Sequence, residues 1–211
     1  MMKIERLVFF LLIVFAYVPQ LLNAAMPDFG PDGMAGLSEA QKQEIARGKT
    51  VFTLTGTSPD EQSGLIEAAI VFDRSPEETW NLFYHTEDQY KYLKELEMSR
   101  VINKSQLEDK IEFRVRALFI TQTFRVIHHF DKPDYYFYWG LDPDFKNDLA
   151  DLRGFYRFYP YGRGKTLARY GSNVSVKNVP KFIEDIFKKS GVSKSLVSVK
   201  KYIDSGGTYR K

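Results

Sequence analysis

The fold of this chain is decided by residues 180–205, which read PKFIEDIFKKSGVSKSLVSVKKYIDS. Proline suits the first position of a helix, where a backbone N–H would have no partner. Gly206 and Gly207 follow the stretch, and glycine commonly occupies the residue after a helix. Lys200 and Lys201 lie in the last turns, where positive charge interacts favourably with the helix dipole. The stretch therefore predicts one long helix, from Pro180 to Ser205.

The apolar residues of this helix fall into two groups with helical spacing. The first group comprises Phe182, Ile183, Ile186 and Phe187. The second group comprises Val192, Leu196, Val199 and Ile203. The two stripes are out of phase at 3.6 residues per turn, so we expect a kink or break at Ser190–Gly191. A helix that follows a run of strands must bury its stripe against their sheet, and what lies between helix and sheet is the functional question.

The start of the chain has the layout of a secretory signal peptide. Lys3 and Arg6 precede an uninterrupted apolar run of 12 residues, Leu7–Val18, and small residues follow at 23–25. A membrane span needs about 20 apolar residues, so we expect cleavage and export, to the periplasm, with an uncleaved anchor as the alternative. We divide the chain into a signal peptide (1–24), a linker with a short helix (25–47) and a ligand-binding domain (48–211).

Composition excludes several classes of protein. The absence of cysteine excludes a lipoprotein anchor and any disulfide. A net charge of +3 at pH 7 is close to neutral for 211 residues, which argues against a nucleic-acid partner because such proteins carry a basic stripe. Aromatic residues make up 15% of the chain and concentrate in its middle, which indicates a large aromatic core or an aromatic-lined cavity. The sequence leaves the oligomeric state open.

Two helix starts carry a capping box, in which a serine and a residue three positions later exchange hydrogen bonds. Ser38 with Gln41 predicts a helix over 39–47, and Ser75 with Glu78 predicts a helical region over 76–96, broken near residue 85. Within this second region we expect the inward residues to be Trp80, Leu82, Phe83, Tyr90 and Leu93.

The remaining segments alternate apolar and polar residues, as strands do. Two strands are expected before the second helical region, at 49–55 and 65–72, and six after it. These six are expected at 99–104, 111–118, 121–130, 135–141, 152–159 and 166–176. Short polar turns join them, so neighbouring strands should be antiparallel. The order predicts an α+β fold, in which a strongly curved antiparallel sheet wraps around the C-terminal helix, with two short helices after the first core strand.

This arrangement resembles the START/SRPBCC superfamily, whose fold is called the helix grip. The resemblance covers about residues 48–205 and rests on Leu65–Phe72, Ser75–Trp80, Trp139, Gly154, Pro160, Gly164–Leu167, Tyr170 and Val179–Pro180. The extra helix and strand before the domain resemble bacterial periplasmic members. The resemblance implies a deep apolar cavity under the last helix that holds a lipid, sterol, quinone or polyketide. We expect ligand contacts from Trp80, Phe83, Phe113, Val115, Phe124, Tyr135, Phe137, Trp139, Tyr156, Phe158, Phe182 and Ile186.

Polar candidates for chemistry are few. His128 and His129 are neighbours on one strand and point to opposite faces, so we expect no shared metal, but one of them could be hydrogen-bonded inside the cavity. Arg114 and Arg116 are expected on the outer face, whereas an inward Arg125 would require a carboxylate partner or an anionic ligand. The acidic residues over 142–151 lack calcium-loop spacing and are expected to form a solvated loop.

Three functions remain open on these residues. We favour a binding or carrier protein for a hydrophobic small molecule or lipid, with possible transient membrane contact and no cofactor or metal. The alternative is a cyclase-, dehydratase- or hydrolase-type enzyme in which a tyrosine, histidine or arginine transfers protons. A third is a protein-binding domain with a filled core. Ligand cavities measure about 300–1,000 Å³, so the cavity volume separates the third function from the other two.

Overall fold

A computed structural model describes residues 26–54, 66–117, 120–177 and 181–211, and the side chains of 54, 117 and 181–190 lie outside this description. The helices are α1 (Glu39–Ala46), α2 (Pro76–Tyr84), α3 (Gln89–Tyr92) and α4 (Lys181–Asp204), with a short 3-10 turn at Thr86–Asp88. The strands are β1 (Val51–Leu54), β2 (Ile66–Phe72), β3 (Leu96–Lys104), β4 (Glu108–Ala117), β5 (Ile120–Asp131), β6 (Tyr136–Leu141), β7 (Leu149–Tyr161) and β8 (Lys165–Val176).

The eight strands form one antiparallel sheet in the order β1-β2-β8-β7-β6-β5-β4-β3. The sheet is curved. Along the chain, α1 precedes its first strand and α4 follows its last strand, as expected for a helix-grip α+β fold. Register shifts in β3 and β7 mark bulges, and bulges increase the local bend and twist of a strand. The predicted fold class, the order of helices and strands along the chain, and the antiparallel pairing are confirmed.

Helix α4 packs its C-terminal half onto the inner face of β2 and β8. Leu196, Val199, Tyr202 and Ile203 are buried there in one apolar cluster with Ala68 and Ala168. The small alanine side chains on β2 and β8 allow the helix to approach the sheet closely. The helix ends in the predicted way, because Gly206 and Gly207 have positive φ and donate to the carbonyls of Ile203 and Tyr202.

The expected break in α4 and two details of the second helical region are wrong. Helix α4 runs unbroken through Ser190–Gly191, so the phase change between the stripes does not interrupt it, and a kink at this point stays a prediction. The first stripe falls on side chains outside the description. In the second helical region, Tyr90 is 42% exposed and Tyr92 is buried instead. The break at His85 and the 3-10 turn after it reset the helical phase, and the region ends at Tyr92 rather than near residue 96.

The segment before α1 lies against the outer face of the sheet. Phe29 and Leu37 are buried there with Tyr159 and other apolar residues of the sheet. The buried Arg169 donates two hydrogen bonds to backbone carbonyls of this segment, at 2.9 and 3.0 Å, and stacks over Phe29 at 3.9 Å. Residues 26–37 are irregular, as predicted for a linker, but they cover one face of the sheet and so contribute to its stability.

Candidate functional site

An apolar cavity of about 290 Å³ lies between the inner face of the sheet and α4. A second cavity of about 300 Å³ adjoins it, toward Gly191 and the edge where β5 and β7 begin and β8 ends. The two adjoin beneath α4 and share six lining residues: Val115, Phe124, Leu152, Tyr170, Ser172 and Ser195. This space exists because the larger side chains of α4 pack against alanines farther along the sheet, whereas Ser195 and Gly191 leave room beside them.

Seven of the residues predicted from the sequence line the first cavity. They come from α2, β4, β5, β6 and β7 and are Phe83, Phe113, Val115, Phe124, Phe137, Trp139 and Tyr156. Strand alternation turns the six strand residues to the inner face, because residues two apart share a face, and Phe83 reaches the cavity from α2. That any of them contacts a ligand stays a prediction.

Three other predicted residues lie elsewhere, and two fall outside the described side chains. Trp80 and Phe158 are buried in the packed core, with ring centroids 6.5 Å apart. Tyr135 precedes β6 with a φ of 46°, and its hydroxyl donates to Glu77 at 3.0 Å near the surface. The positive φ turns Tyr135 out of the strand's alternation. The last two, Phe182 and Ile186, belong to the part of α4 whose side chains are not described.

The cross-strand pair of Trp139 and Gly154 shapes the cavity wall. They are direct partners on β6 and β7, and the indole covers the glycine. A Cβ at Gly154 would lie 2.3 Å from Trp139 Cζ2 and 2.6 Å from the carbonyl oxygen of Gly171. Glycine is therefore required here for the indole to lie flat along the wall.

A hydrogen-bonded set of polar side chains is built into this apolar wall. His128 is 4% exposed and lines the first cavity. Its Nδ1 lies 2.7 Å from Oδ1 of Asp109, which is 1% exposed. The hydroxyl of the buried Thr86 donates to the other carboxylate oxygen, Oδ2. Asp109 and His128 are direct partners in the β4–β5 register, so the sheet itself brings them together.

An inward histidine is expected from the sequence, but neither of its partners, Asp109 and Thr86, is among the predicted site residues. Asp109 lies two residues before Ile111, so strand alternation extended backward would have placed it on the inner face. Thr86 is brought to the pair by the 3-10 turn after α2. His129 points outward, stacks on Tyr138 and lies 3.4 Å from Glu108, and burial lowers its pKa.

Arg125 lies on the outer face and is not available to a ligand in the cavity. Its guanidinium donates to Glu112 at 3.0 Å and lies 3.7 Å from Asp142. Asp142 also pairs with Lys110 at 3.0 Å and is fully buried. The expectation of a solvated acidic loop is therefore wrong at Asp142, because the outer face of β4 and β5 supplies two cations to it; Asp144 and Asp148 are exposed as predicted.

Buried phenols give the cavity further polar groups. Burial raises the pKa of Tyr170 to about 12 and raises the pKa of Tyr156 and of Tyr92 well above the ordinary value of 10.0. All three line the first cavity. Their hydroxyls stay protonated at neutral pH, so they offer hydrogen bonds and no charge.

A larger and more open groove, of about 1050 Å³, lies outside this space. It is lined by residues of α2, the β3–β4 turn and the β5–β6 turn, including Trp80, Leu107 and Lys132. No described residue of α4 contributes to it, so it is not the cavity that a helix-grip fold encloses.

Neither metal chemistry nor a membrane span is indicated by the described residues. Within the described ranges, no group of three or more histidine, cysteine, aspartate or glutamate residues could hold a metal ion. Of the helices in the same ranges, none is long and apolar enough to cross a membrane.

Solved structures with the same fold support this description. A STAR-related lipid transfer protein from Xanthomonas axonopodis is 8% identical, with a TM-score of 0.58 over 72% of this chain and 98% of its own. The Zhui aromatase/cyclase from Streptomyces sp. R1128 is 9% identical, with a TM-score of 0.59 over 68% of this chain and 94% of its own. A START superfamily protein from Mycobacterium smegmatis is 12% identical, with a TM-score of 0.57 over 67% and 97%.

The chain therefore has the helix-grip fold of the START/SRPBCC superfamily, as its sequence predicts. Comparisons of the sequence with protein-family models and with curated proteins give no match. Identities this low establish the fold alone, so function has to be argued from the cavity.

Proposed function

We propose that this protein binds a hydrophobic small molecule or lipid in the cavity beneath α4 and carries or buffers it. The observation that supports this is the apolar space between sheet and helix, whose two adjoining parts of about 290 and 300 Å³ lie at the lower end of ligand-site volumes. A domain with a filled core would leave no such space. The structural neighbours include a lipid transfer protein and an aromatase/cyclase, and both descriptions fit a ligand of this kind.

Filling the cavity tests this proposal. Ser195 lies on α4 where the two cavities join, so Ser195→Phe should place a ring in the ligand's space and abolish binding. Val197 is two residues away on the same helix and is 50% exposed, so Val197→Phe is the matched control and should bind as the wild type does.

Tryptophan fluorescence reports the binding. Trp139 lines the cavity, whereas Trp80 is packed in the core. A Trp80→Phe background leaves Trp139 as the single reporter, and titration with a sterol or a long-chain lipid should shift its emission. Equal binding by the Ser195→Phe and Val197→Phe proteins, both with intact melting curves, would overturn the proposed site.

The cellular place of this function is part of the proposal. We propose that the protein is exported and acts in the periplasm, because the apolar run Leu7–Val18 and the small residues after it have the form of a cleaved signal. N-terminal sequencing of the native protein should find a start near residue 25, in the fraction released by osmotic shock. A full-length protein held in the membrane pellet after salt washes would contradict it.

A second candidate function is supported by the pair of Asp109 and His128. A histidine oriented by a carboxylate can transfer protons to and from a bound molecule, which is the requirement of a cyclase-, dehydratase- or hydrolase-type enzyme. Chromatography with mass spectrometry, before and after incubation with apolar candidate substrates, distinguishes this candidate from a carrier. A new product that disappears in His128→Phe favours the enzyme, and unchanged ligand favours the carrier.

A further inference from the structure

We infer that the cavity selects a neutral apolar molecule that carries a hydroxyl group, and that this hydroxyl donates a hydrogen bond to Nε2 of His128. The inference rests on the proposed function, because it names the chemistry of the ligand held in the same cavity. It follows from the hydrogen bonds of His128, from the charges around the cavity and from the apolar surroundings of the imidazole.

The hydrogen bonds set which ring nitrogen carries the proton. A carboxylate only accepts hydrogen bonds, so each of the two partners of Asp109 must donate one to it. The hydroxyl of Thr86 donates to Oδ2 and Nδ1–H of His128 donates to Oδ1. In the neutral imidazole, Nε2 is then the acceptor. Among the described residues Nε2 has no hydrogen-bond partner, so the acceptor is free for a ligand.

The charges around the cavity disfavour an anionic ligand. The described lining of the two cavities contains no lysine or arginine, and its one carboxylate is that of Glu95. Asp109 places a second carboxylate directly behind His128. A fatty-acid carboxylate bound at His128 would therefore be a buried anion close to Asp109, with no lysine or arginine in the described lining to pair with it, and burying such a charge is costly. A hydroxyl brings no charge into the cavity.

The surroundings of the imidazole make an unpaired Nε2 costly. Rings of Phe113, Phe130, Phe137 and Trp139 lie with their centroids 6.1–6.4 Å from that of His128. A polar atom without a partner in such surroundings destabilises the complex. A ligand with a hydroxyl removes this penalty, whereas a ligand of the same length without a donor leaves it in place.

Three probes of equal chain length test the inference: lauryl alcohol, lauryl methyl ether and laurate. The alcohol can donate to Nε2, the ether cannot, and laurate adds a negative charge. Competition with a fluorescent lipid in the wild-type protein should give the alcohol an affinity about three- to tenfold higher than the ether, which corresponds to one net hydrogen bond. The affinity for laurate should be lower than that for the alcohol by a factor of about ten or more.

Two variants locate the effect. His128→Phe keeps a ring in the same apolar surroundings and removes the acceptor, so alcohol and ether should bind equally. His129→Phe is the matched control, because His129 is the next residue and lies on the opposite face; it should keep the wild-type preference. Nitrogen NMR of the wild type supplies a second readout that needs no variant: the Nε2 signal of His128 should shift with the alcohol and stay in place with the ether.

The outcomes are distinct. If the three probes bind with equal affinity, or laurate binds best, the inference is wrong while the proposed cavity function stands. The inference is also overturned if folded His128→Phe still prefers the alcohol, or if the Nε2 signal of the wild type does not shift when the alcohol is added. If none of the probes binds, both the inference and the proposed function fail.

Discussion

Gly191 lies inside α4 and beside the second cavity, so replacing it with alanine tests stability and ligand exchange together. Its backbone is helical and lies outside the positive-φ region. A Cβ built there meets no atom within 4 Å. Glycine in a helix interior lowers stability by about 1 kcal/mol relative to alanine, because glycine loses more backbone conformational entropy on folding. Gly191→Ala should therefore stabilise the protein by about 1 kcal/mol, which for a chain of this size raises Tm by roughly 2–4 °C.

Gly206 at the end of the same helix is the matched control. It has a φ of +65°, and a Cβ there would lie 3.2 Å from Nη2 of Arg74. An alanine in the left-handed region costs roughly 1–2 kcal/mol, so Gly206→Ala should lower Tm. Thermal melts and urea titrations of the two variants, followed by circular dichroism, should give shifts of opposite sign. A Gly191→Ala protein that melts below the wild type would refute the reasoning.

The same variant tests whether α4 acts as the gate of the cavity. A ligand sealed beneath a helix needs some element to open, and such elements come from the less stable parts of a fold. If the helix bends at Gly191 to release the ligand, Gly191→Ala should slow stopped-flow transfer of a fluorescent lipid to vesicles. Greater stability with an unchanged transfer rate would place the gate elsewhere, such as in the loop over 142–148.

Three further predictions concern other parts of the structure. Gly154→Ala should destabilise the protein by roughly 1–3 kcal/mol, because the new Cβ overlaps Trp139 and backbone; urea titration measures it, and a neutral result would contradict the packing. Arg169→Met should loosen the segment over 26–37 and lower the free energy of unfolding by about 1.5–3 kcal/mol, because the guanidinium holds Gly33 and Phe29. Hydrogen exchange over 26–37 should be faster, and unchanged exchange would show that Arg169 does not hold this segment. Burial raises the pKa of Tyr202 from 10.0 to about 12. The stability that the phenol contributes is therefore complete below pH 10 and is lost as pH rises toward 12. In alkaline urea titrations Tyr202→Phe should lose less stability than the wild type, and an equally steep loss would exclude this phenol as a cause.

Much of the fold could be predicted because its signals are local. Each capping box lies within four consecutive residues, and both form as expected at Ser38 and Ser75. Alternation along β5 placed Phe124 on the inner face as expected and sent one of the two adjacent histidines, His128, to the same face. The glycines after α4 ended it as expected. Antiparallel pairing followed from the short connections between strands. The order of helices and strands along the chain in turn implied a helix lying on a curved sheet.

The polar part of the site could not be predicted, because it depends on register between distant residues. Asp109 meets His128 only when β4 and β5 pair with these two residues opposite each other. Residues 118 and 119, between the two strands, are Leu and Phe and carry no turn signal of the Asn-Gly or Asp-Gly kind that would set the register of a hairpin. The position of Thr86 depends on a 3-10 turn, and such turns have no strong sequence pattern.

Packing also decides which aromatic residues line the cavity and which fill the core. Trp80 and Phe158 share the inner side with Phe137, yet the first two are covered by neighbouring rings. Tyr135 lies just before β6 with a positive φ, and nothing in the local sequence predicts this backbone conformation. These outcomes depend on how side chains interlock in three dimensions, which alternation along a strand does not encode.

Native mass spectrometry tests the central claim, that the space between the sheet and α4 holds an apolar ligand, most directly. The protein would be purified from its source organism without detergent, and bound molecules would be extracted and identified. We predict an added mass of one ligand on the wild type, retained by Val197→Phe and lost from Ser195→Phe, with a neutral hydroxyl-bearing molecule in the extract. A wild-type protein of bare mass that also binds none of a panel of sterols, quinones, alcohols and glycerides would contradict the account.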